Sequence, residues 1–261
     1  MKNFFRNIKE EYNKKKSKKF TVYLILRFLV ILCLIRQVTL GNIGNIITCV
    51  LTLLLFLIPS ILEKKFKIIL PDTLEIIVYI FIFSAEILGE INEFYIHIKN
   101  FDSILHTLNG FIMAGIGLSL IEIFNNSPNT KMMLDPKYLV LFGFCFSMTT
   151  GVVWEIFEYS VDKVFKQDMQ KDTIITEITS VVLNEEGKNK SETIKIEELI
   201  VNGEDYMEKY GGYIDVGLND TMEDLIVNLV GATIYSIMGY GYLKGKGKNA
   251  SKFMIKKKDY S

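Results

Sequence analysis

The sequence predicts an all-α integral membrane protein with about six transmembrane helices, cytoplasmic N and C termini, and a small extracytoplasmic β-hairpin inserted before the last helix. Three observations support this fold class. Of the 261 residues, 49% are hydrophobic, and the mean hydropathy is +0.26. The apolar residues form blocks of about 20, the length that crosses a bilayer core of about 30 Å as a helix. Positive charges gather near both ends of the chain.

Six apolar segments have this length, and the first two are close enough in sequence to form a helical hairpin. A large soluble helical bundle is the alternative. Uninterrupted apolar blocks are typical of membrane spans, whereas the helices of soluble bundles alternate apolar and polar faces. The segments are 20–40, 43–62, 73–91, 104–124, 137–159 and 222–243.

The positions of Lys and Arg predict the orientation of these segments. Residues 1–19, 244–261 and 63–67 are basic, and Lys131 and Lys137 lie in the connection after the fourth segment. Because basic short connections stay in the cytoplasm, both termini and the second and fourth connections are predicted to be cytoplasmic. An even number of spans agrees with two termini on one side. The expected location is the bacterial cytoplasmic membrane, as a multi-pass protein.

The connection before the last apolar segment is polar and acidic, and it contains two stretches rich in β-branched residues. These stretches, 173–183 and 193–201, flank a polar turn at 184–190, which predicts a β-hairpin. The predicted parts of the chain are a basic cytoplasmic N-terminal segment (1–19), transmembrane helices 1–5 (20–162), an extracytoplasmic loop with the hairpin (163–221), transmembrane helix 6 (222–243) and a basic cytoplasmic tail (244–261).

Four of the predicted helices carry polar residues spaced three or four apart near the end that faces outside. Residues with this spacing share one face of a helix, so each of these helices has a polar stripe at a similar depth. The stripes comprise Glu86, Glu90, Asp102, His106, Asn109, Trp154, Glu155, Glu158, Asp162, Asp220, Asp224 and Asn228.

Carboxylates at membrane depth require compensation, since each costs about 2.5–3.5 kcal/mol to insert. Eight like charges at one level need protons, a metal ion or water. Three interpretations remain open: a hydrated structural plug, a substrate or metal site, and an ion or proton pathway. His106 and Glu155 are the candidates for acid–base catalysis. A divalent metal is a candidate cofactor, with oxygen and imidazole ligands drawn from Asp102, His106, Glu155, Glu158, Asp220 and Asp224.

Several short motifs occur in the same region: Asp102-Ser-Ile-Leu-His106, Asn109-Gly-Phe111, Gly151-Val-Val-Trp-Glu155-Ile-Phe-Glu158, Asp168-Met-Gln170, and Gly217-Leu-Asn-Asp-Thr-Met-Glu-Asp-Leu225 with Asn228 and Gly231-Ala232. Together they resemble the uncharacterised bacterial YjdF-like membrane proteins and, more distantly, the VanZ-like proteins. The similarity covers about residues 73–243. VanZ-like proteins are associated with resistance to glycopeptide antibiotics, so the resemblance implies a role in the cell envelope. This chain departs from the pattern by inserting the hairpin between the last two groups of motifs.

The sequence therefore predicts a polar, acid-rich site at the outer leaflet that binds an amphiphilic or lipid-linked cell-envelope molecule, with or without a reaction. One alternative is a cation- or proton-coupled transporter, although no acidic pair lies at mid-membrane. Another is a non-catalytic assembly partner that docks through the hairpin. The basic termini are expected to contact anionic lipid of the bilayer and not nucleic acid. The three cysteines are expected to pack as small apolar residues.

Overall fold

The computed structural model describes residues 18–126, 133–245 and 252–257. It divides into two compact units, unit 1 with Met1–Gly151 and Ile226–Ser261, and unit 2 with Val152–Leu225. Most of the basic segment predicted at 1–19 lies outside the described residues. Within the described part of the chain, the helices long and apolar enough to cross a membrane are Lys18–Leu40, Ile43–Lys65, Phe101–Asn125, Pro136–Phe165 and Leu218–Leu243.

Short helices and strands connect the long helices along the chain. The helices are α1 (Lys18–Leu40), α2 (Ile43–Leu55), α3 (Ile58–Phe66), α4 (Asp72–Phe83), α5 (Phe94–His97), α6 (Phe101–Asn125), α7 (Pro136–Phe165), α8 (Tyr206–Tyr210) and α9 (Leu218–Leu243). The strands are β1 (Ile68–Ile69), β2 (Ile174–Ile175), β3 (Glu177–Ser180), β4 (Glu192–Lys195), β5 (Ile200–Val201), β6 (Glu204–Asp205), β7 (Tyr213–Ile214) and β8 (Lys256–Lys257).

The first two apolar segments pack against each other as α1 and α2. Gly41 makes the turn between them with a φ of +69°, a conformation that glycine adopts without steric cost. Asn42 then caps α2, because its side chain accepts a hydrogen bond of 3.1 Å from the backbone N–H of Asn45. A turn separates α2 from α3, so the second predicted segment is built from two helical pieces.

The third predicted segment, 73–91, differs from a regular membrane helix. Its first part is α4, but Ser84–Ile91 forms a π-helix. The wider turn of a π-helix leaves space on one side, and such turns occur often at functional sites. Here the ring of Tyr95 packs against Gly89, where an added Cβ atom would lie 2.3 Å from the ring. The third predicted span is thus a composite of two helix types in this structure.

Glycines bring α6, α7 and α9 close together within unit 1. A Cβ atom placed on Gly110 would lie 2.1 Å from the carbonyl oxygen of Asn228, and one on Gly231 would lie 1.9 Å from that of Thr107. On α7, a Cβ atom at Gly143 would lie 2.8 Å from the carbonyl oxygen of Ala114. Small residues at these positions permit backbone contact between helices, as is common in membrane bundles.

The end of the chain returns to this core. Strand β8 pairs antiparallel with β1, and the register matches Ile68 with Lys257 and Ile69 with Lys256. Met254 and Ile255, just before β8, are buried in unit 1. The sequence predicts a basic cytoplasmic tail over 244–261. Its described part instead contributes apolar side chains to the helix core.

Unit 2 contains three short antiparallel pairs. β3 pairs with β4 from Glu177 with Lys195 to Ser180 with Glu192, in the region where the sequence predicts a hairpin. The ends of the predicted hairpin pair elsewhere, since β2 pairs with β7 and β5 pairs with β6. The stretch predicted as the remainder of the first strand, Val181–Leu183, is a 3-10 turn.

Candidate functional site

A histidine and a carboxylate are paired at the beginning of α6. His106 Nε2 lies 3.6 Å from Asp102 Oδ1, one helical turn away. This distance suits an ion pair when the imidazole is protonated, but it is long for a direct hydrogen bond. The His106 side chain is only 8% exposed, against 26% for Asp102. A buried imidazole beside a more exposed carboxylate can exchange a proton with a bound molecule.

A polar cluster lies one turn further along α6, and we call it the asparagine node: Asn109, Gly110, Ser147 and Asn228. Asn109 Nδ2 donates to Asn228 Oδ1 at 3.4 Å, and Asn228 Nδ2 donates to the carbonyl oxygen of Ser147 at 3.5 Å. The Ser147 hydroxyl donates to the carbonyl oxygen of Gly110 at 2.8 Å. Asn228 is 0% exposed, so these long hydrogen bonds satisfy polar groups that water does not reach.

Unit 2 holds the other predicted acids of α7 and α9. Glu155, Glu158 and Asp224 are all buried, with Glu155 4% exposed. Trp154 Nε1 donates a hydrogen bond of 2.8 Å to Glu158 Oε1, one turn away on α7. The indole therefore helps to orient this buried carboxylate. Charged groups are rarely buried in a membrane helix, so these carboxylates are candidates for function.

Two further predicted acids of unit 2 bind backbone. Asp162 Oδ1 accepts from Met169 N at 2.7 Å and Asp162 Oδ2 from Gln170 N at 2.9 Å. Asp220 Oδ2 accepts from Lys171 N at 2.8 Å. Carboxylates that fix a loop in this way have fewer lone pairs left for a metal ion or a ligand.

Asp215, which was not among the predicted site residues, continues this arrangement. It accepts from Thr173 N at 2.9 Å and from the Thr173 hydroxyl at 2.9 Å. Gly217 N and Asn219 Nδ2 also donate to it, at 3.1 and 3.0 Å. Burial acts to raise the pKa of Asp215, but the hydrogen bonds outweigh this effect and hold the pKa below its usual value of 3.8. We call residues 169–173 the docked segment, because three aspartates bind its backbone.

The predicted acids of the third segment lie on the π-helix of unit 1. Glu86 is half-buried, whereas Glu90 is exposed. The π-helix was not expected from hydropathy, which does not distinguish the two helix types. Glu86 is therefore a half-buried acid on a π-helix, which is a rare backbone conformation. Glu90 is exposed, as polar residues at helix ends commonly are.

A partly buried ion pair in unit 1 was not predicted from the sequence. Lys19 Nζ, at the start of α1, lies 2.7 Å from Glu75 Oε2 and 3.2 Å from Asp72 Oδ1 on α4. The Tyr79 hydroxyl donates to the other oxygen of Glu75 at 2.7 Å. Glu75 is buried and engaged on both oxygens by these two partners. The spacing of Asp72, Glu75 and Tyr79 places them on one face of α4, and this was the sequence signal for a polar cluster there. The sequence does not show that Lys19, 56 residues before Glu75, is the partner of this cluster.

Long apolar helices joined through glycine contacts and buried polar side chains define a multi-pass membrane protein. The chain belongs to the DUF2238 family, described as predicted membrane protein, and the family's sequence model matches residues 20–245. Comparison with curated proteins and with solved structures gave no match. Membership confirms the predicted membrane class and its uncharacterised family. The more specific likeness to YjdF-like and VanZ-like proteins, and the bacterial cytoplasmic membrane, stay predictions.

Proposed function

We propose that the polar ends of these membrane helices form a site that binds the polar headgroup of an amphiphilic cell-envelope molecule. The observation that carries the proposal is the Asp102–His106 pair, which is largely buried at the beginning of α6. A titratable pair at the end of a membrane-spanning helix is costly unless it has a functional or structural partner. An anionic or hydroxyl-bearing headgroup is a suitable partner for an imidazole, and its acyl chains would remain among the apolar helices.

The sequence pattern of polar residues three or four apart is the reason for including acids from α7 and α9 in the proposed site. Gly151 and Asn228 are in contact within unit 1, since a Cβ atom on Gly151 would lie 2.8 Å from Asn228 Nδ2. Glu155 lies one turn after Gly151, and Asp224 lies one turn before Asn228. Residues four apart share a helix face, so Glu155 is on the Gly151 face of α7 and Asp224 is on the Asn228 face of α9. In the proposal, His106 and Glu155 exchange protons with the bound molecule if a reaction occurs.

A divalent cation is part of the proposal as a bridging group. One imidazole and several carboxylates form a donor set that suits hard or borderline divalent ions. Asp220 is the weakest of the original candidates, because one of its oxygens already accepts the Lys171 N–H. The proposed ligands are Asp102, His106, Glu155, Glu158 and Asp224.

Two neighbouring acids on α9 provide a matched test. Asp224 is buried, whereas Glu223 is exposed. Each variant, Asp224→Asn and Glu223→Gln, would be purified in mild detergent, and bound lipids and metals would be measured by native mass spectrometry and elemental analysis. We expect Asp224→Asn to weaken the affinity for a co-purifying ligand at least about tenfold, which corresponds to losing roughly 1.4 kcal/mol of binding free energy, and so to lower its occupancy.

The Glu223→Gln protein should keep the occupancy of the unmodified chain. Equal occupancy in both variants, with unchanged thermal unfolding midpoints, would contradict the proposed site. Loss of binding together with loss of folding in Asp224→Asn alone would assign the carboxylate to structure. A Glu155→Gln variant, which keeps side-chain shape, then tests the proton-transfer role separately.

The alternative of a coupled transporter needs a continuous polar path through the membrane. In the described part of unit 1, the region of α6 beyond the asparagine node is packed with apolar side chains, among them Leu118, Tyr235 and Met254. Glu75 is engaged by Lys19 and Tyr79. This packing favours a one-sided binding site over transport. An assembly role remains the third hypothesis, for which the exposed residues of unit 2 would supply the contact surface.

A further inference from the structure

We infer that residues 253–255 act as a removable plug in an apolar groove of unit 1. The groove runs along α6, with α9 beside Met254 and α4 beside Ile255, and it lies on the far side of the asparagine node from the Asp102–His106 pair. Its walls include Phe111, Ser119 and Tyr235. The occupant is the chain's own C-terminal segment, and the inference does not depend on the proposed outer site.

The side chains of the segment enter the groove in succession. Phe253 packs edge-to-face on Phe111, with ring centroids 5.2 Å apart. The Tyr235 hydroxyl donates to Met254 Sδ at 3.0 Å. Met254 is only 1% exposed. Phe111 also contacts Tyr235, with centroids 5.0 Å apart, so three aromatic rings close the groove next to the asparagine node.

Within the described part of the chain, few backbone contacts hold the segment in place. Ile255 N donates to the Ser119 hydroxyl at 2.9 Å, and that hydroxyl donates to the carbonyl oxygen of Gly115 at 2.7 Å. In addition, β8 adds a two-residue strand to β1. An extended segment that pairs with a strand edge and inserts side chains into pockets is the way many proteins bind separate peptides. The segment is therefore built as a ligand of the helices rather than as a continuous part of them.

The segment also has a second favourable environment. Lys252 and Lys256, on either side of it, are exposed, and lysines beside a membrane are attracted to anionic lipid headgroups. The same residues can thus lie in the groove or on the bilayer surface. Withdrawal would expose a groove that leads along α6 from Ser119 to Phe111, next to the asparagine node. The plug would therefore control whether an apolar chain, such as a lipid acyl chain, can enter the groove from that side.

Thiol accessibility tests this inference directly. In a background with Cys33, Cys49 and Cys145 replaced by Ala, Ser119→Cys places a reporter directly under the segment, because the buried Ser119 hydroxyl accepts from Ile255 N at 2.9 Å and lies 4.0 Å from Met254 Sδ. The protein would be reconstituted in lipid nanodiscs and treated with a water-soluble maleimide, with and without truncation after Gly245. We expect truncation to increase the labelling rate of this cysteine at least about tenfold. A Thr52→Cys reporter, buried on α2, should label at the same slow rate in both forms.

A peptide added in trans separates a plug from a loosened fold. A peptide with the sequence of residues 252–258 should restore protection of the reporter in the truncated protein. The same peptide with Met254→Asp and Ile255→Asp should have no effect. The inference would be overturned if the reporter stayed protected after truncation, or if the peptide failed to restore protection. It would also be overturned if the truncated protein lost its cooperative thermal transition, because the segment would then be a permanent part of the core.

Discussion

At the residue scale, polar side chains within apolar helices predicted part of the asparagine node. Asn109 and Asn228 stand out in the sequence because amides are rare in such segments, and the structure joins them at 3.4 Å. Ser147 could not be found in the same way. Serine is common in membrane helices, and its partner, the carbonyl oxygen of Gly110, is a backbone atom 37 residues away. Composition therefore identifies polar residues but not the backbone groups that satisfy them.

The close approach of α6 and α9 leads to a prediction about Gly231. A Cβ atom there would lie 1.9 Å from the Thr107 carbonyl oxygen and 2.9 Å from Phe111 N. These are backbone atoms, so relief requires the helices to move apart. We expect Gly231→Ala to lower the free energy of unfolding by about 3 kcal/mol, at the upper end of overpacking costs. Thermal unfolding in detergent measures this as a lower midpoint.

Gly241, on the same helix, provides the control for this substitution. A Cβ atom at Gly241 has no described atom within 4 Å among those compared, and alanine has the higher helix propensity. Gly241→Ala should therefore leave the midpoint unchanged or raise it slightly. Equal midpoints for the two variants would show that α6 and α9 are not in backbone contact.

At the scale of elements, the sequence predicted where helices end better than it predicted what the acids near those ends bind. Asp162 and Asp220 were expected to contribute to a site, but they accept hydrogen bonds from the docked segment. A carboxylate near a helix end can bind a ligand, and it can equally accept hydrogen bonds from backbone N–H groups of the adjacent loop. Only the path of the following loop decides between these roles. Likewise, hydropathy placed the third apolar segment but could not predict the π-helix at Ser84–Ile91.

The docked segment leads to a prediction about Asp215. An asparagine side chain at this position would present one N–H₂ group where the carboxylate now accepts from Thr173 and Asn219. We expect Asp215→Asn to destabilise the segment by about 1.5–3 kcal/mol, the range for hydrogen bonds to a charged group. Hydrogen exchange should be faster at the amides of Thr173 and Gly217. Asp168→Asn, at an exposed carboxylate 3.9 Å from Lys171, should have little effect.

The same carboxylate predicts how this loop depends on pH. The hydrogen bonds hold the pKa of Asp215 below 3.8, so the folded state favours the charged form. Its contribution to stability is then fully present above about pH 4, near the pKa of an unfolded aspartate, and is lost as pH falls through the folded pKa. Exchange at Thr173, corrected for intrinsic rates, should rise below about pH 4 in the unmodified protein. In Asp215→Asn this pH dependence at Thr173 should be weaker, with the remainder due to Asp162 and Asp220, which still bind the backbone of the docked segment.

At the scale of the whole molecule, the membrane class followed from the sequence because it depends on two robust quantities, segment length and hydropathy. The matched family of predicted membrane proteins agrees with it. The course of the C-terminal segment did not follow, since its lysines suggested a tail at the membrane surface. The apolar triplet 253–255 within that basic sequence was the local indication of its packing in unit 1. Long-range contacts of a few residues do not leave a periodic pattern to read.

Topology is the remaining prediction for the whole molecule. The positions of Lys and Arg place both termini in the cytoplasm and the β3–β4 region outside. Glu186, between β3 and β4, and Lys64, on α3, are exposed positions. In a background with the three cysteines replaced by Ala, we expect Glu186→Cys to react with an impermeant maleimide added to intact cells. Lys64→Cys should react only after the cells are lysed.

The reverse pattern would invert the orientation and place the proposed headgroup site on the cytoplasmic side. Labelling of both cysteines in intact cells would indicate an even number of spans between residues 64 and 186. A cytosolic marker protein that stays unlabelled would exclude entry of the maleimide into leaky cells as the cause. The result also bears on the composite of α4 and the π-helix. Between Lys64 and Glu186 lie this segment, α6 and α7. Because α6 and α7 are both long and apolar enough to cross, cysteines on opposite sides require the composite segment to cross as well. A composite segment that does not cross would leave both cysteines on one side.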